Sequence, residues 1–586
     1  MKQSGNNQQF TVLFLVPWSK QTTISKGEIM VTKNRFGFGK SSIVIFLAMV
    51  LSLGTLAPAN AVLKAKIRTT TQGAPWANEV AAPIVTATST GMTVAVDTTV
   101  KYQTIDGFGG CFNEVGWKVL NFLSAAGRDS VIKAIFDTVT GCKFTMCRMP
   151  VGASDYSLGW YSLNENANDT LMTKISVARD SGYLFQYIKA AMKYRPGLKI
   201  WGSPWSPPIW MKTNNSYVGS GGGHLIWTPK ILNAYTLYFE KAIQLYRAQG
   251  INFYALSFQN ESIQEPIFPG CSYNQSQHHD IIANYLGPRF AADNLNCELW
   301  TATMNNGDYT YFSAMLGGDG MAAKYITAVC YQYAGRNCIA QVNQNYPNFK
   351  AYETETDAGD GQNTWNYAFT PTFDDMRFYF DNKTSAYFQW NMVLDPKGAS
   401  TVNWLQNAMV TIDTVTKQVV YRGQYYNVKH FGYYVKPGAK VVKRSGTFSD
   451  QVSFQNPDGS IVVVMVNKGN STTSVGVTFG TKMITVSMPP SSFNTAVIYD
   501  SLPQQSAVNV SLPALQSATA KTLFNVAGGE RFSLPREYAG KTCVCSVFDV
   551  NGRFVRELTV KNRVLDLSGE FGIPRGSYVV KIRAVK

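Results

Sequence analysis

The sequence predicts an α/β chain: a TIM (β/α)8 barrel with an attached β-sandwich side domain and a small C-terminal all-β domain. Two observations predict this architecture. From about residue 102, eight β-like runs alternate with helical patterns, which is typical of a closed parallel barrel. On either side of that region, runs such as GMTVAVDTTVKY and QVSFQNPDGSIVVVMVNKGNSTTSVGVTFG alternate apolar and polar residues, which is typical of antiparallel strands.

The eight predicted barrel strands share an apolar, β-rich composition and lie, in chain order, in QTIDGFGG, CKFTMCRMPVG, LKIWGSPW, NFYALSFQNE, CELWTATMN, KYITAVCYQY, NFKAYETET and SAYFQWNMVL. Helical spacing is clearest between strands three and four, at Leu232, Tyr235, Phe239, Ile243 and Tyr246. Thr228 is the predicted N-cap of that helix, Pro229 its first residue and Gly250 its stop signal.

The chain divides into six predicted segments. They are a leader (1–61), the N-terminal strands of the side sandwich (62–101), the barrel (102–430), the rest of the sandwich (431–500), a polar linker (501–520) and a C-terminal β domain (521–586). An Asn-Gly pair in DVNGR predicts a hairpin in the last segment.

The leader has the pattern of a secretory signal peptide. Lys33, Arg35 and Lys40 precede the apolar run 43–53, and Ala59 and Ala61 form an A-x-A cleavage site. The run is too short for a membrane-spanning helix, and no later segment predicts one. We therefore expect a secreted or cell-surface protein cleaved after Ala61. The basic region begins just after Met30, so the sequence leaves open whether translation starts at Met1 or at Met30.

Composition indicates a globular protein, with 45% hydrophobic and 15% charged residues in 586. The net charge of +16 is concentrated at the ends, with +5 in residues 1–61, +6 in residues 501–586 and only +5 between them. A nucleic-acid-binding protein would need a basic stripe on the central body, so we expect no nucleic-acid partner.

Metal or cofactor chemistry has little support in the sequence. The nine cysteines include no CxxC pair, and their disulfide pairing cannot be deduced from the sequence. The adjacent His278 and His279 are two of only four histidines, and they favour a solvated loop or helix start over a metal site. We predict no cofactor and no metal.

Two glutamates point to chemistry. Glu261 closes predicted strand four, and Glu355 closes predicted strand seven, about ninety residues later. In a barrel of this type, the C-terminal ends of the strands surround one mouth. Paired carboxylates on opposite sides of a sugar ring are the usual machinery for breaking a glycosidic bond. Glu353 is the alternative to Glu355, and we expect it on the same strand face, deeper in the barrel.

The motifs around these glutamates resemble those of glycoside hydrolase family 30, which contains glucosylceramidases, β-1,6-glucanases and some xylanases. The similarity covers residues 85–500 and rests on QTIDGFGGCFNE, CRMPVGASDYS, SPWSPPIWMKTN, QNES, TETDAGDGQNTW, QWNMVLDPKGAS and KHFGYYVKPGA, in that order. The resemblance implies a retaining β-glycosidase in which Glu261 is the acid/base and Glu355 the nucleophile.

The resemblance also implies supporting roles for other residues. Asn260 is expected to bind the sugar 2-hydroxyl, and Arg148 to orient the nucleophile or to pair with Asp106. Asp155, Trp205 and Trp390 are expected to line the sugar pocket. Either Tyr331 or Tyr333 is expected to face the nucleophile, with Tyr333 as our candidate.

The chain departs from the family in two loops. Ser262 follows Glu261 where the family often has proline, and the loop after strand eight offers only Lys397 as a basic residue. The branch of the family that cuts glucuronoxylan uses an arginine in the loop after strand eight, so the second departure argues against a glucuronoxylan substrate.

The C-terminal residues resemble a type IX secretion sorting domain, which implies a partner in the secretion machinery; an adhesive or carbohydrate-binding module is the alternative. An endo-acting β-1,6-glucanase or xylanase and an inactive glycan-binding protein remain alternatives for the whole chain.

Overall fold

The structure is a computed structural model. It describes residues 62–88, 91–356 and 358–501, together with the C-terminal segments 524–526, 531–533, 542–549, 554–560, 564–566 and 576–584. The chain forms two compact units, divided between residues 504 and 505. The predicted leader and nearly all of the predicted linker lie outside the described residues.

The first unit contains a closed barrel of eight parallel strands that follow one another in chain order, as predicted. Barrel strands one to eight are Gly107–Cys111, Met146–Pro150, Lys199–Ser203, Phe253–Ser257, Glu298–Met304, Ile326–Gln332, Lys350–Glu355 and Thr384–Asn391.

Helices cover the outside of the barrel. The α-helices are Glu114–Leu120, Ala125–Phe136, Ala178–Gly182, Leu184–Tyr194, Pro229–Ala248, Gln275–Asp280, Gly287–Ala292, Tyr309–Leu316, Ile339–Asn345, Asp374–Asp381 and Gly423–Tyr434. Shorter 3-10 or π turns cover Ile209–Met211, Ile281–Leu286, Ala323–Tyr325, Tyr333–Cys338, Asn366–Ala368 and Phe369–Phe373.

The helix between strands three and four shows why these elements form where they do. It spans Pro229–Ala248, and its N-cap hydroxyl, on Thr228, accepts a hydrogen bond from the amide of Ile231. Gly250 follows the helix with φ +81°, a conformation that favours glycine. The cap, the first residue and the stop are those the sequence predicts.

Large apolar side chains fill the barrel lumen, so it is a packed core rather than a pore. The lumen cluster consists of Met146, Trp201, Ala255, Trp300, Ala328, Cys330, Tyr352, Ala386 and Phe388. This plug closes the barrel below its mouth, which we define as the end where the strand carboxyl termini lie.

The predicted side domain is a ten-stranded sheet that combines the two flanks of the barrel. In spatial order its strands are Val80–Ala82, Val62–Thr70, Ser492–Ser501, Ile461–Asn467, Gln451–Gln455, Lys440–Ser445, Met92–Thr104, Thr473–Phe479, Lys482–Met488 and Val85–Thr86. A smaller three-stranded sheet, Val393–Leu394, Val410–Ile412 and Val419–Tyr421, follows barrel strand eight.

His430 joins the barrel to both flanks of the side domain. It is fully buried on helix Gly423–Tyr434, 2.7 Å from the hydroxyl of Thr495 and 2.9 Å from that of Thr70. Burial lowers the pKa of His430 to about 3, so its ring stays neutral and can use both nitrogens in these bonds.

The elements that the structure describes in the C-terminal unit are all strands, as predicted. Its larger sheet has the order Phe524–Val526, Gly576–Ala584, Cys543–Asp549 and Phe554–Val560, and its smaller sheet pairs Arg531–Ser533 with Val564–Asp566. The antiparallel pairing of 543–549 with 554–560 is the hairpin that the Asn-Gly pair predicts. No helix in the described part of the chain is long and apolar enough to cross a membrane.

Replacing His430 with alanine is expected to lower the free energy of unfolding by about 2–4 kcal/mol, because two buried hydroxyls lose their partner and a cavity forms. Chemical denaturation followed by fluorescence measures this. Below about pH 6.5 the unfolded wild type binds a proton at His430 that the folded protein excludes. Lowering the pH therefore lowers the free energy of unfolding of the wild type, and the difference in that free energy between the wild type and His430→Ala should narrow from pH 7 to pH 4. A constant difference would contradict the burial argument.

Candidate active site

Arg148 is the centre of the barrel mouth. It lies in the middle of barrel strand two, is fully buried, and its guanidinium carbon lies 4.4 Å from the ring centroid of Trp205 and 5.5 Å from that of Trp390. A buried cation needs a charged partner and full hydrogen bonding. Arg148 obtains both, since Nη1 binds the carboxylate of Glu355 and Nη2 donates to Oδ1 of Asn260 at 2.5 Å. The alternative partner Asp106 instead pairs with Lys350.

Glu355 is held by three side chains. Besides Arg148, Nε2 of Gln332 donates to Oε2 at 2.8 Å, and the hydroxyl of Tyr333 donates to Oε1 at 2.9 Å. Burial raises the pKa of Glu355, while Arg148, Tyr333 and Gln332 oppose that rise because each favours the ionised form. Tyr333 is therefore the tyrosine that faces Glu355, whereas Tyr331 stacks on Phe312 in the outer core.

The expected position of Glu353 is wrong. Tyr352 points into the lumen, and Glu353 lies opposite Tyr331 on the outer face of strand seven. The pairing register then shifts, because Gln332 lies opposite Glu355 and leaves Thr354 as an extra residue. This bulge turns Glu355 toward the mouth although it is two residues after an outward side chain.

Glu353 lies near the charge of Asp375 on the outer face, and its Oε2 accepts from the amide of Phe388 at 2.7 Å. Burial raises the pKa of Glu353 well above its usual range, and the neighbouring carboxylate adds to the rise. These surroundings favour the neutral form of Glu353, which is a structural group beneath helix Asp374–Asp381.

Asn260 links the two halves of the site. Its Oδ1 accepts from Arg148 and, at 3.0 Å, from the hydroxyl of Thr303 at the end of barrel strand five. Nε2 of Gln332 lies 3.4 Å from the same oxygen. With Oδ1 engaged by these donors, Nδ2 is the group of Asn260 that can donate to a sugar hydroxyl.

Glu261 follows Asn260 in a strained conformation. Its φ is +44°, in the left-handed region that non-glycine residues rarely adopt. Its amide is anchored to the carbonyl and hydroxyl oxygens of Thr303, both at 3.2 Å. Tyr333 has φ +41°, so two residues at the mouth are strained, a pattern that is enriched at functional sites.

The two carboxyl groups differ in charge. Burial raises the pKa of Glu261 to about 8, and the negative charge of Glu355 contributes in the same direction. The Arg148 cation lies against Glu355, which favours the carboxylate there. Near neutral pH the site can therefore hold one ionised and one protonated glutamate, which is the starting state that acid-assisted displacement requires.

The predicted pocket residues lie in one wall of the mouth. Trp205 and Trp390 pack 5.4 Å apart, are each 2% exposed, and share a cluster with Tyr156 and Phe268. Asp155 lies beside this wall, and its carboxyl has a pKa raised well above its usual range by burial and by the charges of Glu355 and Glu261.

Several buried polar atoms around the mouth have no hydrogen-bond partner among the described residues. They are Oδ1 of Asp155, Oε1 of Gln259, Oε1 of Gln332 and Nε1 of Trp390. Buried polar atoms are normally paired, so such a set indicates a polar ligand with many hydroxyl groups. A cavity of about 330 Å³ opens beside Glu355, Tyr333 and Arg336.

A larger groove, of about 770 Å³, lies at the opposite end of the barrel, beside the starts of strands three to five. Glu261, Glu355 and Arg148 all lie at the mouth, so we assign the chemistry to the mouth.

Sequence reasoning missed some members of this site. Gln332 and Asn305 both stand at strand ends, so the rule that finds Glu355 could also have found them. Thr303 and Ser203 bind Asn260 and Arg148, and no sequence pattern distinguishes them from other hydroxyl residues. The histidine pair lies near the start of a helix, as expected, but His278 is fully buried rather than solvated, whereas His279 pairs with Asp319. Among the described residues, no group of three or more His, Cys, Asp or Glu could hold a metal ion.

The chain matches the glycosyl hydrolase family 30 TIM-barrel domain over residues 105–435 and the family 30 beta sandwich domain over residues 438–496. The chain belongs to glycoside hydrolase family 30. The two matched regions are the barrel and the C-terminal part of its side domain, so the predicted family is confirmed.

Relatives of this family 30 enzyme are distant in sequence and alike in architecture. It is 30% identical to putative glucosylceramidase 1 of Caenorhabditis elegans, over 64% of this chain and 76% of that one. It is 26% identical to the endo-1,6-beta-D-glucanase of Neurospora crassa, over 62% and 79% of the two chains. The crystal structure of SrfJ from Salmonella typhimurium superposes with a TM-score of 0.68 at 26% identity, covering 75% of this chain and all of that one.

Replacing Tyr333 with phenylalanine tests the environment of Glu355. Loss of the hydroxyl removes a donor that favours the carboxylate, so the pKa of Glu355 should rise. The acid limb of the kcat/KM profile should move to higher pH, and kcat/KM at its optimum should fall about tenfold, the value of one charge-assisted hydrogen bond. An unmoved acid limb would show that Tyr333 does not act on the group that titrates there.

Proposed function

We propose that this family 30 enzyme is a secreted retaining β-glycosidase that hydrolyses β-glucosidic bonds, in the manner of a glucosylceramidase, by double displacement with two glutamates. The observation behind the proposal is the asymmetric carboxyl pair. Glu355 is bound to the buried Arg148 cation, while the pKa of Glu261 is raised to about 8.

In the first step, a carboxylate oxygen of Glu355 attacks the anomeric carbon of the sugar. The bond from that carbon to the leaving oxygen breaks, and the leaving oxygen takes the proton of Glu261. Arg148, Gln332 and Tyr333 orient the attacking carboxylate through the hydrogen bonds described above. The products are a glycosyl ester on Glu355 and a free alcohol.

In the second step, the ionised Glu261 removes a proton from water, and the resulting oxygen attacks the same carbon. The ester bond breaks and Glu355 leaves as a carboxylate, so the sugar is released with its original β configuration. Asn260 Nδ2 and the carboxyl of Asp155 are the protein groups available to hold sugar hydroxyls during both steps. The aromatic wall of Trp205 and Trp390 gives the ring an apolar face to pack against.

The similarity to a putative glucosylceramidase supports the choice of β-glucosides. An inactive glycan-binding protein would have no need for both glutamates, and their opposed environments favour catalysis over simple binding. We also propose that the protein is exported by its signal peptide and that its C-terminal β unit is the sorting domain that the secretion machinery recognises.

Replacing Glu355 with glutamine should lower turnover on aryl β-glucosides by several orders of magnitude while leaving the thermal unfolding temperature nearly unchanged, because the covalent step is lost and the shape is kept. Proton NMR of the wild-type reaction should show the β-anomer first. Glu353→Gln is the matched control: this glutamate lies two residues earlier, is buried on the outer face of the barrel, and its replacement should keep near-normal turnover. Normal turnover in Glu355→Gln, or the α-anomer first, would refute the mechanism.

A second candidate, an endo-acting β-1,6-glucanase, is favoured by the aromatic rim of the mouth. Trp404 is 48% exposed and packs edge-on against Phe268 at 5.3 Å, and Phe268 belongs to the same cluster as Trp205 and Trp390. Trp160 is also exposed, and its Nε1 donates to the hydroxyl of Thr401 three residues before Trp404. An aromatic surface therefore continues from the pocket wall to the rim, where a second pyranose could stack.

The variant Trp404→Ala distinguishes a glucosylceramidase-like enzyme from an endo-acting β-1,6-glucanase. For a glucanase, kcat/KM on β-1,6-linked gluco-oligosaccharides should fall about 5–10-fold more than kcat/KM on an aryl β-glucoside, because one stacking contact is lost. Tyr102→Ala, which removes a comparably exposed ring from the side domain, is the control. Equal losses on both substrates would argue against a second sugar at Trp404.

A further inference from the structure

Ser262, the residue directly after Glu261, forms a hydrogen bond whose direction can be deduced. Its buried hydroxyl oxygen lies 2.7 Å from Nε2 of His278, and Nδ1 of His278 lies 2.8 Å from the carbonyl oxygen of Asn274. A carbonyl oxygen can only accept, so Nδ1 carries the proton and Nε2 is a free acceptor. The hydroxyl of Ser262 therefore donates to His278.

The surroundings of His278 keep it in that form. The ring is fully buried and lies edge-on to Phe258 at 5.5 Å and to Tyr311 at 5.1 Å. Burial lowers its pKa to about 4, so the ring is neutral at higher pH. Asn274 is fixed as well, because it is the N-cap of helix Gln275–Asp280 and forms a reciprocal capping box with Gln277.

The left-handed backbone at Glu261 needs neighbouring contacts that hold it in place. A left-handed φ at a glutamate is unfavourable and persists only where neighbouring contacts impose it. On the N-terminal side, the amide of Asn260 donates to the carbonyl of Pro204 at 2.8 Å, and Thr303 binds the amide of Glu261. On the C-terminal side, the amide of Tyr273 donates to the carbonyl of Ser262 at 2.8 Å, and His278 binds its hydroxyl.

We propose that His278, acting through Ser262, is a positioning residue for Glu261: it holds the backbone that aims the acid/base carboxyl at the leaving oxygen. This inference rests on the proposed role of Glu261 and extends it to a pair that touches no substrate.

The test compares full-length variants on two aryl β-glucosides. The phenyl glucoside has a poor leaving group that needs protonation, whereas the 2,4-dinitrophenyl glucoside has a good one that does not. Ser262→Ala should lower kcat/KM on the phenyl glucoside about 10–100-fold more than on the dinitrophenyl glucoside, since a misplaced acid affects only the step that needs it. His278→Leu, which has no acceptor, and the double variant should give a similar ratio, because all three remove the same hydrogen bond.

Two reference variants distinguish the possible outcomes. In Glu261→Ala, kcat/KM on the phenyl glucoside should fall more than kcat/KM on the dinitrophenyl glucoside by a factor on the order of 10²–10⁴. If Glu261→Ala shows no such difference, the proposed function fails; if it does and Ser262→Ala loses activity equally on both substrates or not at all, only the positioning role fails. Ser453→Ala removes a buried hydroxyl hydrogen bond from the side domain and should leave the ratio at its wild-type value. The ratio is independent of the fraction of folded enzyme, so reduced stability cannot imitate the effect.

Discussion

The buried ion pair between Arg148 and Glu355 is the constraint on which the rest of the site depends. A guanidinium removed from water destabilises the fold unless a carboxylate and further acceptors surround it. In this barrel those partners come from strand three through Ser203, from the end of strand four through Asn260 and from strand seven through Glu355. Satisfying one cation therefore brings together the ends of separate strands. The same cation stabilises the charge of Glu355, so a requirement of folding also favours the ionised form of the proposed nucleophile.

The chemical asymmetry of the two glutamates follows from their surroundings, since the side chains are identical. Burial raises the pKa of both, but at Glu355 a cation and two neutral donors oppose that rise, whereas at Glu261 a negative neighbour adds to it. One is consequently favoured as an anion and the other as an acid, which is the division of labour that a double displacement requires.

Backbone irregularities direct both carboxyl groups. A bulge at Thr354 turns Glu355 to the mouth, and left-handed backbone at Glu261 and Tyr333 places those residues beyond regular strand geometry. Each irregularity is unfavourable locally and is held by side chains from neighbouring elements, such as Thr303 and the Ser262–His278 pair. The strain is thus supported by the same packed framework that the ion pair organises.

The fold class could be predicted from the sequence, as could the residues that the structure brings together at the mouth, among them Arg148, Glu261 and Glu355. Strand and helix periodicity, caps and turn residues are local signals, which is why the eight strands and the helix after Thr228 could be predicted, and strand ends of a barrel are known to share one mouth. Which neighbours act on each residue depends on the folded arrangement of distant segments. That arrangement placed Glu353 on the outer face, chose Tyr333 over Tyr331, and buried His278 beneath Ser262. These outcomes depend on a one-residue shift between strands and on contacts between distant segments, and the strict two-residue alternation assumed for a strand contains no information about either.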